Sequence, residues 1–262
     1  MSKSTLARST AAALAALLLP LAAAPAAVSS SAEQPDRPKA PKGIVDLRDV
    51  APTVHHDIRY TTKHNFVGTP VDAYEEPRCL LSRSAARQLA KVQRDVRKKG
   101  YTLKVYDCYR PQTAVDHFVR WAADEDDTRM KREFYPRIDK STLFEDGYIA
   151  EESGHSRAST VDLTLVKLPA KKQRPWRPSD GLQPCYWPQK ERYRDNSIDM
   201  GTAFDCFDTR SHTDDPRSTK KQQANRQRLV QAMERRGFSN YENEWWHFTL
   251  DDEPYPDTYF DF

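Results

Sequence analysis

With 41 Lys and Arg against 38 Asp and Glu, this chain of 262 residues carries a formal net charge of only +3. That balance provides no basic footprint for a nucleic acid. The length accommodates one large domain or two small ones.

The chain opens on a segment that does not belong to a fold. Lys3 and Arg8 precede an apolar run from Ala11 to Ala27, almost wholly Ala, Leu and Pro, with small residues after it. Residues 1–32 therefore read as a secretory signal. Pro20 and Pro25 interrupt the run, so a permanent membrane span is the weaker reading, and no stable span is expected after cleavage. No cysteine follows the apolar stretch, which argues against a lipid anchor. Loss of Lys3 and Arg8 with the signal would leave a net charge of +1. Residues 33–43 are polar and Pro-rich, a flexible lead-in to a domain over residues 44–262.

Ser82 is placed to cap a helix from Arg83 to about Lys99, with Ala85, Leu89, Val92 and Val96 on one face and Gly100 as its stop. Leu103 and Val105 alternate with polar neighbours in a short strand ending at Asp107. Pro111 opens a second helix carrying Val115, Phe118, Val119 and Ala122. Residues 161–166 alternate with period two, which sets Asp162 and Thr164 on one face, opposite the apolar side chains. The stretch 167–199 has no clear period and reads as an extended surface loop pinned through Cys185. A polar, basic helix is expected over 219–236, with Ala224, Leu229 and Met233 as its apolar contacts and Gly237 as its stop. Residues 244–250 read as a final strand. Helices mixed with few, irregularly spaced strands predict a single α+β domain.

The four cysteines, Cys79, Cys108, Cys185 and Cys206, would meet an oxidising compartment in an exported chain. Three pairings are open. Cys79–Cys108 and Cys185–Cys206 are favoured because each brackets one coherent segment. A thiolate metal site would need close Cys-x-x-Cys spacing, which is absent.

The chemistry concentrates in His155, Asp162 and the run Glu244-Trp245-Trp246-His247. Zinc in catalytic sites takes three protein ligands and leaves the fourth position to water. His155, Asp162 and His247 fill that quota, which leaves Glu244 free to take a proton from the water. Each residue alone has a plain structural alternative. A lone His-x6-Asp pair is a weak signal, and Glu244 and His247 point apart on a flat strand unless a bend or bulge intervenes. Arg110 follows a strand end and precedes a proline, where it can face a cleft and meet oxyanion charge, or pair with a surface carboxylate. No nucleophile elbow or phosphate loop competes. His55, His56, His64, His117 and His212 lack partners at ligand spacing.

Six segments in this order resemble the zinc D-alanyl-D-alanine dipeptidases of the VanX type. They are Arg59-Tyr60 with Asn65-Phe66; the run 106–111; the run 153–165; Met200-Gly201 through Phe204-Asp205; Glu244 to His247; and the closing 252–262. The resemblance covers roughly Ile44 to Phe262. It implies an α+β fold whose central antiparallel sheet carries the zinc site, flanked by helices. It implies one Zn2+ on His155, Asp162 and His247, with Glu244 as catalytic base and Arg110 steadying the tetrahedral intermediate. Tyr60, Asp205 and Ser153 match residues of the substrate pocket, and the implied substrate is D-Ala-D-Ala. The chain departs from the pattern in three places: Ala158 stands where Gly is usual, Thr160 where Ala is usual, and the 167–199 loop is longer. If position 158 requires positive φ, alanine there is strained by about 1 kcal/mol or more. Two other functions compete: a D,D-carboxypeptidase trimming longer stem peptides, and a zinc-stabilised module that binds cell-wall peptides without turnover.

Overall fold

The computed structural model describes Met1 and residues 39–262. The expected signal over residues 1–32 and most of the lead-in therefore lie outside the described residues. The elements run β1 (Ile44–Asp46), α1 (Leu47–Val50), β2 (His55–His56), β3 (Leu80–Ser82), α2 (Arg83–Arg97) and β4 (Tyr101–Asp107). They continue with α3 (Gln112–Ala123), α4 (Lys131–Phe134), β5 (Thr160–Lys167), α5 (Lys220–Glu234), β6 (Phe238–Asn240) and β7 (His247–Leu250). Among the described residues no helix is long and apolar enough to cross a membrane.

Local chemistry sets the helix ends. The Ser82 hydroxyl accepts from Ala85 N at 3.3 Å and starts α2, which satisfies a backbone donor that has no partner within the helix. Its stripe Ala85, Leu89, Val92 and Val96 is buried as its spacing predicts. Gly100, at φ +78°, turns the chain into β4. On α5, Thr219 and Gln222 cap each other's backbone reciprocally. The expected contact at Ala224 is not made, because Ala224 is exposed and Arg226 is the residue fully buried on that face. Its guanidinium donates to the carbonyls of Met200, Arg210 and His212, which turn inward from the neighbouring loop. Three inward-facing carbonyls favour a five-donor side chain over a methyl group.

The main sheet has the order β2-β4-β5-β7-β6. Pairs β4/β5, β5/β7 and β6/β7 are antiparallel, as expected, but β2 joins β4 in parallel at one edge, so the sheet is mixed. A parallel neighbour needs a long crossover, and the chain between β2 and β4, which includes α2, provides it. Strands β1 and β3 form a separate antiparallel pair. The central strand β5 is buried on both faces: Val161, Leu163 and Leu165 on one, Asp162 and Thr164 on the other.

The expected strand over 244–250 begins only at His247. Glu244, Trp245 and Trp246 lie in a turn closed by Glu244 N to Tyr241 O and His247 N to Glu244 O, both near 3 Å. Trp245 and Trp246 are each 1 % exposed. Two such rings bury roughly 200 Å² apiece, at most about 5 kcal/mol each, so the turn is anchored from beneath. The cysteines pair as Cys79–Cys108 and Cys185–Cys206, with Cα separations of 5.1 and 5.5 Å that fall in the disulfide range. After Lys167, the last residue of β5, the segment to residue 199 is irregular apart from a short 3-10 turn, Pro178–Asp180, and is held through Cys185.

Candidate metal centre

Sheet register builds the centre. Asp162 on β5 stands opposite His247 of β7 on one side and opposite Asp107 of β4 on the other. His155 arrives from outside the sheet, on the 3-10 turn Gly154–Arg157, which Ser153 caps through its side chain. That turn ends on Ala158 at φ 58° and ψ 26°, in the left-handed region. The glycine-favouring backbone is thus present with an alanine on it, and its methyl is buried against Ile44 and Tyr109.

Three side chains converge. His155 Nε2 lies 3.3 Å from Asp162 Oδ2, His247 Nδ1 lies 3.1 Å from Asp162 Oδ1, and the two ring nitrogens are 3.3 Å apart. One donor atom from each residue falls within 4.8 Å of the others. His155 Nδ1 donates to Cys108 O at 2.7 Å, which fixes the tautomer that leaves the Nε2 lone pair free, as metal-bound histidines require. Asp162 Oδ1 is buried and receives no hydrogen bond among the described residues. A buried carboxylate whose two oxygens each face an imidazole nitrogen, one of them without a hydrogen bond, is costly unless a cation completes it. These residues fit one divalent ion.

Charge in the pocket is strongly perturbed. Burial opposes ionisation of Asp162, but His155 and His247 outweigh it and hold the carboxyl below its usual range. Burial also works against charge on His247, and the Asp162 carboxylate reverses that, raising the imidazole. Glu244 Oε2 lies 3.4 Å from His247 Nδ1. Burial, with Asp162 adding repulsion, pushes the Glu244 pKa up to about 7 against the pull of His247 and Arg110. Asp205 is raised well above the carboxylate range, first by burial and then by Asp162 and Glu244. Tyr60 donates to it at 2.9 Å. Asp205 itself sits at φ +57°, a left-handed conformation that non-glycine residues hold at some cost.

Arg110 Nε and Nη2 both donate to Asp107 Oδ2, at 3.0 and 2.8 Å. Nη2 also comes within 3.9 Å of Asp162 Oδ2, and Nη1 lies 3.5 Å from Ser153 Oγ. The guanidinium rests over the Tyr60 and Phe118 rings, 5.3 and 5.0 Å from their centroids. All the residues singled out from the sequence line one cavity of about 270 Å³: Tyr60, Arg110, Ser153, His155, Asp162, Asp205, Glu244 and His247.

Sequence reasoning missed the supports. Asp107 is fully buried and, besides holding Arg110, accepts from Tyr74 OH at 2.6 Å. Its signal was a carboxylate at a strand end three residues before an arginine. Asn240 Nδ2 donates to the carbonyls of Glu244 and His247, at 3.0 and 2.9 Å, and holds their turn. Tyr74 and Asn240 carried no local signal.

Two imidazoles and a carboxylate around one cation position, with an acid of near-neutral pKa beside them, define a metallopeptidase-type hydrolase. The family model described as D-ala-D-ala dipeptidase matches residues 40–172 and 191–262, and the chain belongs to that family. It is 38 % identical to a D-alanyl-D-alanine dipeptidase of Enterococcus faecalis, over 84 % of this chain and 97 % of the relative. The dipeptidase of Streptomyces coelicolor is 37 % identical over 80 % of this chain and 92 % of its own. That of Escherichia coli is 30 % identical over 79 % and 84 %. The family match passes over residues 173–190, within the loop whose length departs from the pattern.

Proposed function

We propose that the protein is an exported zinc dipeptidase that hydrolyses free D-Ala-D-Ala to two D-alanines. The observation that carries this reading is the convergence of His155 Nε2, Asp162 and His247 Nδ1 within 4.8 Å, with Glu244 beside them in a cavity of about 270 Å³. That volume lies just under the ~300–1,000 Å³ typical of drug-sized ligands, which favours a small substrate over a long stem peptide. The relatives' names give the same substrate.

His155, Asp162 and His247 would hold the zinc. When bound, it supplies Lewis acidity that activates water and polarises the scissile carbonyl. Glu244 takes the proton from the attacking water as its oxygen bonds to the carbonyl carbon. It then returns that proton to the departing nitrogen as the C–N bond breaks. A pKa near neutrality suits a group that must do both. Arg110, fixed by Asp107, meets the negative charge that develops on the carbonyl oxygen. Asp205, Tyr60 and Ser153 form the substrate-binding wall. The buried Asp205 carboxyl is placed to pair with a substrate ammonium, whose positive charge offsets the burial that opposes its ionisation. Export rests on the charged start and apolar run of residues 1–32 and agrees with paired cysteines.

Purified protein incubated separately with the free dipeptide and with a pentapeptide stem, read by mass spectrometry, tests the substrate. D-alanine release from the dipeptide is expected, and cleavage of the longer peptide alone overturns the assignment. N-terminal sequencing of protein recovered from culture medium tests export, and a start within residues 27–33 is expected.

A further inference from the structure

The end of the chain lies across the two loops that present His155 and Arg110. Phe260 N donates to Ser156 O at 3.0 Å, and Gln112 N donates to Phe260 O at 3.1 Å. One tail residue therefore links the neighbour of His155 to the second residue after Arg110. The next residue, Asp261, accepts from Thr113 N at 2.9 Å and from Thr113 Oγ1 at 2.8 Å. Helix α3 needs this help. Its N-cap is Pro111, which makes no side-chain capping bond, and the first backbone donors of a helix have no partner inside it. Phe260 and Asp261 supply acceptors for two of them, and a carboxylate there suits the positive end of the helix dipole. Phe262 closes the arrangement by stacking on Tyr109, with ring centroids 4.1 Å apart, and donates its N–H to Tyr109 OH at 2.9 Å. The other end of the tail is tied by Glu253 to Arg157, at 2.7 Å.

Arg110 lies between Tyr109 and the first turn of α3, and its own N–H reaches His155 O at 3.3 Å. We infer that residues 260–262 are positioning residues: the tail caps α3 in place of Pro111 and thereby sets Arg110 and His155 relative to each other. This rests on the proposed roles of His155 in metal binding and Arg110 in oxyanion stabilisation, so the test includes readouts that do not require turnover.

Three variants of the full chain suffice: deletion of residues 260–262, Asp261→Ala and Asp261→Asn. Asp261 is exposed, so its substitution leaves the core intact. Each is measured for zinc loss to a chelator, for hydrogen exchange at the start of α3, and for kcat and KM on D-Ala-D-Ala. Deletion should speed zinc loss and lower kcat by roughly tenfold or more, with KM shifting by less than about threefold, since misplacing a charge stabiliser acts mainly on the transition state. Asp261→Ala should move exchange and kcat the same way by a smaller factor. Asp261→Asn should stay within about twofold of wild type, because an amide oxygen caps as well as a carboxylate. Wild-type exchange, zinc retention and kcat in the deletion overturn the inference; if the deletion does not fold, the same outcome in Asp261→Ala overturns it. Zinc retention and exchange are read whether or not the wild type cleaves the dipeptide, which separates failure of this inference from failure of the substrate assignment.

Discussion

Asp162 and His247 face each other across β5 and β7 as register partners, and their side chains meet at 3.1 Å between Oδ1 and Nδ1. A strand pair holds such a relationship with little freedom, because a slip of one residue would send either side chain to the opposite face. The proposed metal position is therefore defined largely by the sheet, with only His155 supplied by a loop.

Glu244→Gln keeps the shape and packing of its side chain but cannot accept a proton. It should bind zinc as the wild type does and lose about 10²–10⁴ in kcat. Steady-state kinetics beside a metal titration checks this, and retention of more than about a tenth of wild-type turnover would rule Glu244 out as the base.

Loss of Arg110 should cost about 10²–10³ in kcat, roughly 3–4 kcal/mol, with less effect on KM. Asp107→Asn weakens the paired acceptor that aims the guanidinium, so it should lower kcat in the same direction by a smaller factor. An Asp107→Asn enzyme with normal kcat would show that Arg110 does not need this support.

Glu244 also gives a pH signature in chelated protein. Burial raises its folded pKa from 4.5 to about 7, so the protonated form is favoured by folding. The stability it contributes is full below the unfolded value and is lost as pH rises through the folded one. Thermal or denaturant melts over about pH 4–8 should show wild type losing up to about 3 kcal/mol relative to Glu244→Gln across that window. Parallel curves for the two proteins would contradict the burial of this carboxyl.

Metal should stabilise the fold, since a ligand that binds only the native state adds RT ln(1 + [L]/Kd), about 4 kcal/mol at a thousandfold excess over Kd. Zinc is expected to raise Tm in wild type and to have no effect in His155→Ala. Equal shifts in both proteins would place the ion elsewhere.

Ala158→Gly tests the strained turn below His155. Relief of a left-handed alanine is worth about 1–3 kcal/mol. The lost buried methyl and the freer unfolded chain oppose it by about 1–2 kcal/mol. The terms nearly cancel, so stability should change by no more than about 1 kcal/mol, with zinc affinity unaltered. A large gain in zinc affinity would show that the alanine loosens the metal loop.

Much of the site was legible because its residues sit in local patterns. The period-two run around Asp162, the capped helix after Ser82 and the Glu-x-x-His spacing each declare chemistry over a few positions. Other features depended on distant segments. Nothing near Arg226 announces that three carbonyls from 200–212 will turn toward it. Nothing near Pro111 announces that its helix will be capped from the end of the chain. The strand expected over 244–250 was shortened for a similar reason: both tryptophans are drawn under the turn into the core, and that burial outweighs their preference for extended backbone.

The residues of this chain by themselves pointed to the candidate donor set, the proposed general base, the helix boundaries and the favoured cysteine pairing, because each depends on side-chain identity at short spacing. Only the tertiary structure decided that Asp162 lies between His247 and Asp107, that β2 joins the sheet in parallel, and that Asp107 holds Arg110. Strand register and long-range hydrogen bonds arise when segments far apart in sequence bury their faces together, and local spacing carries no record of that choice.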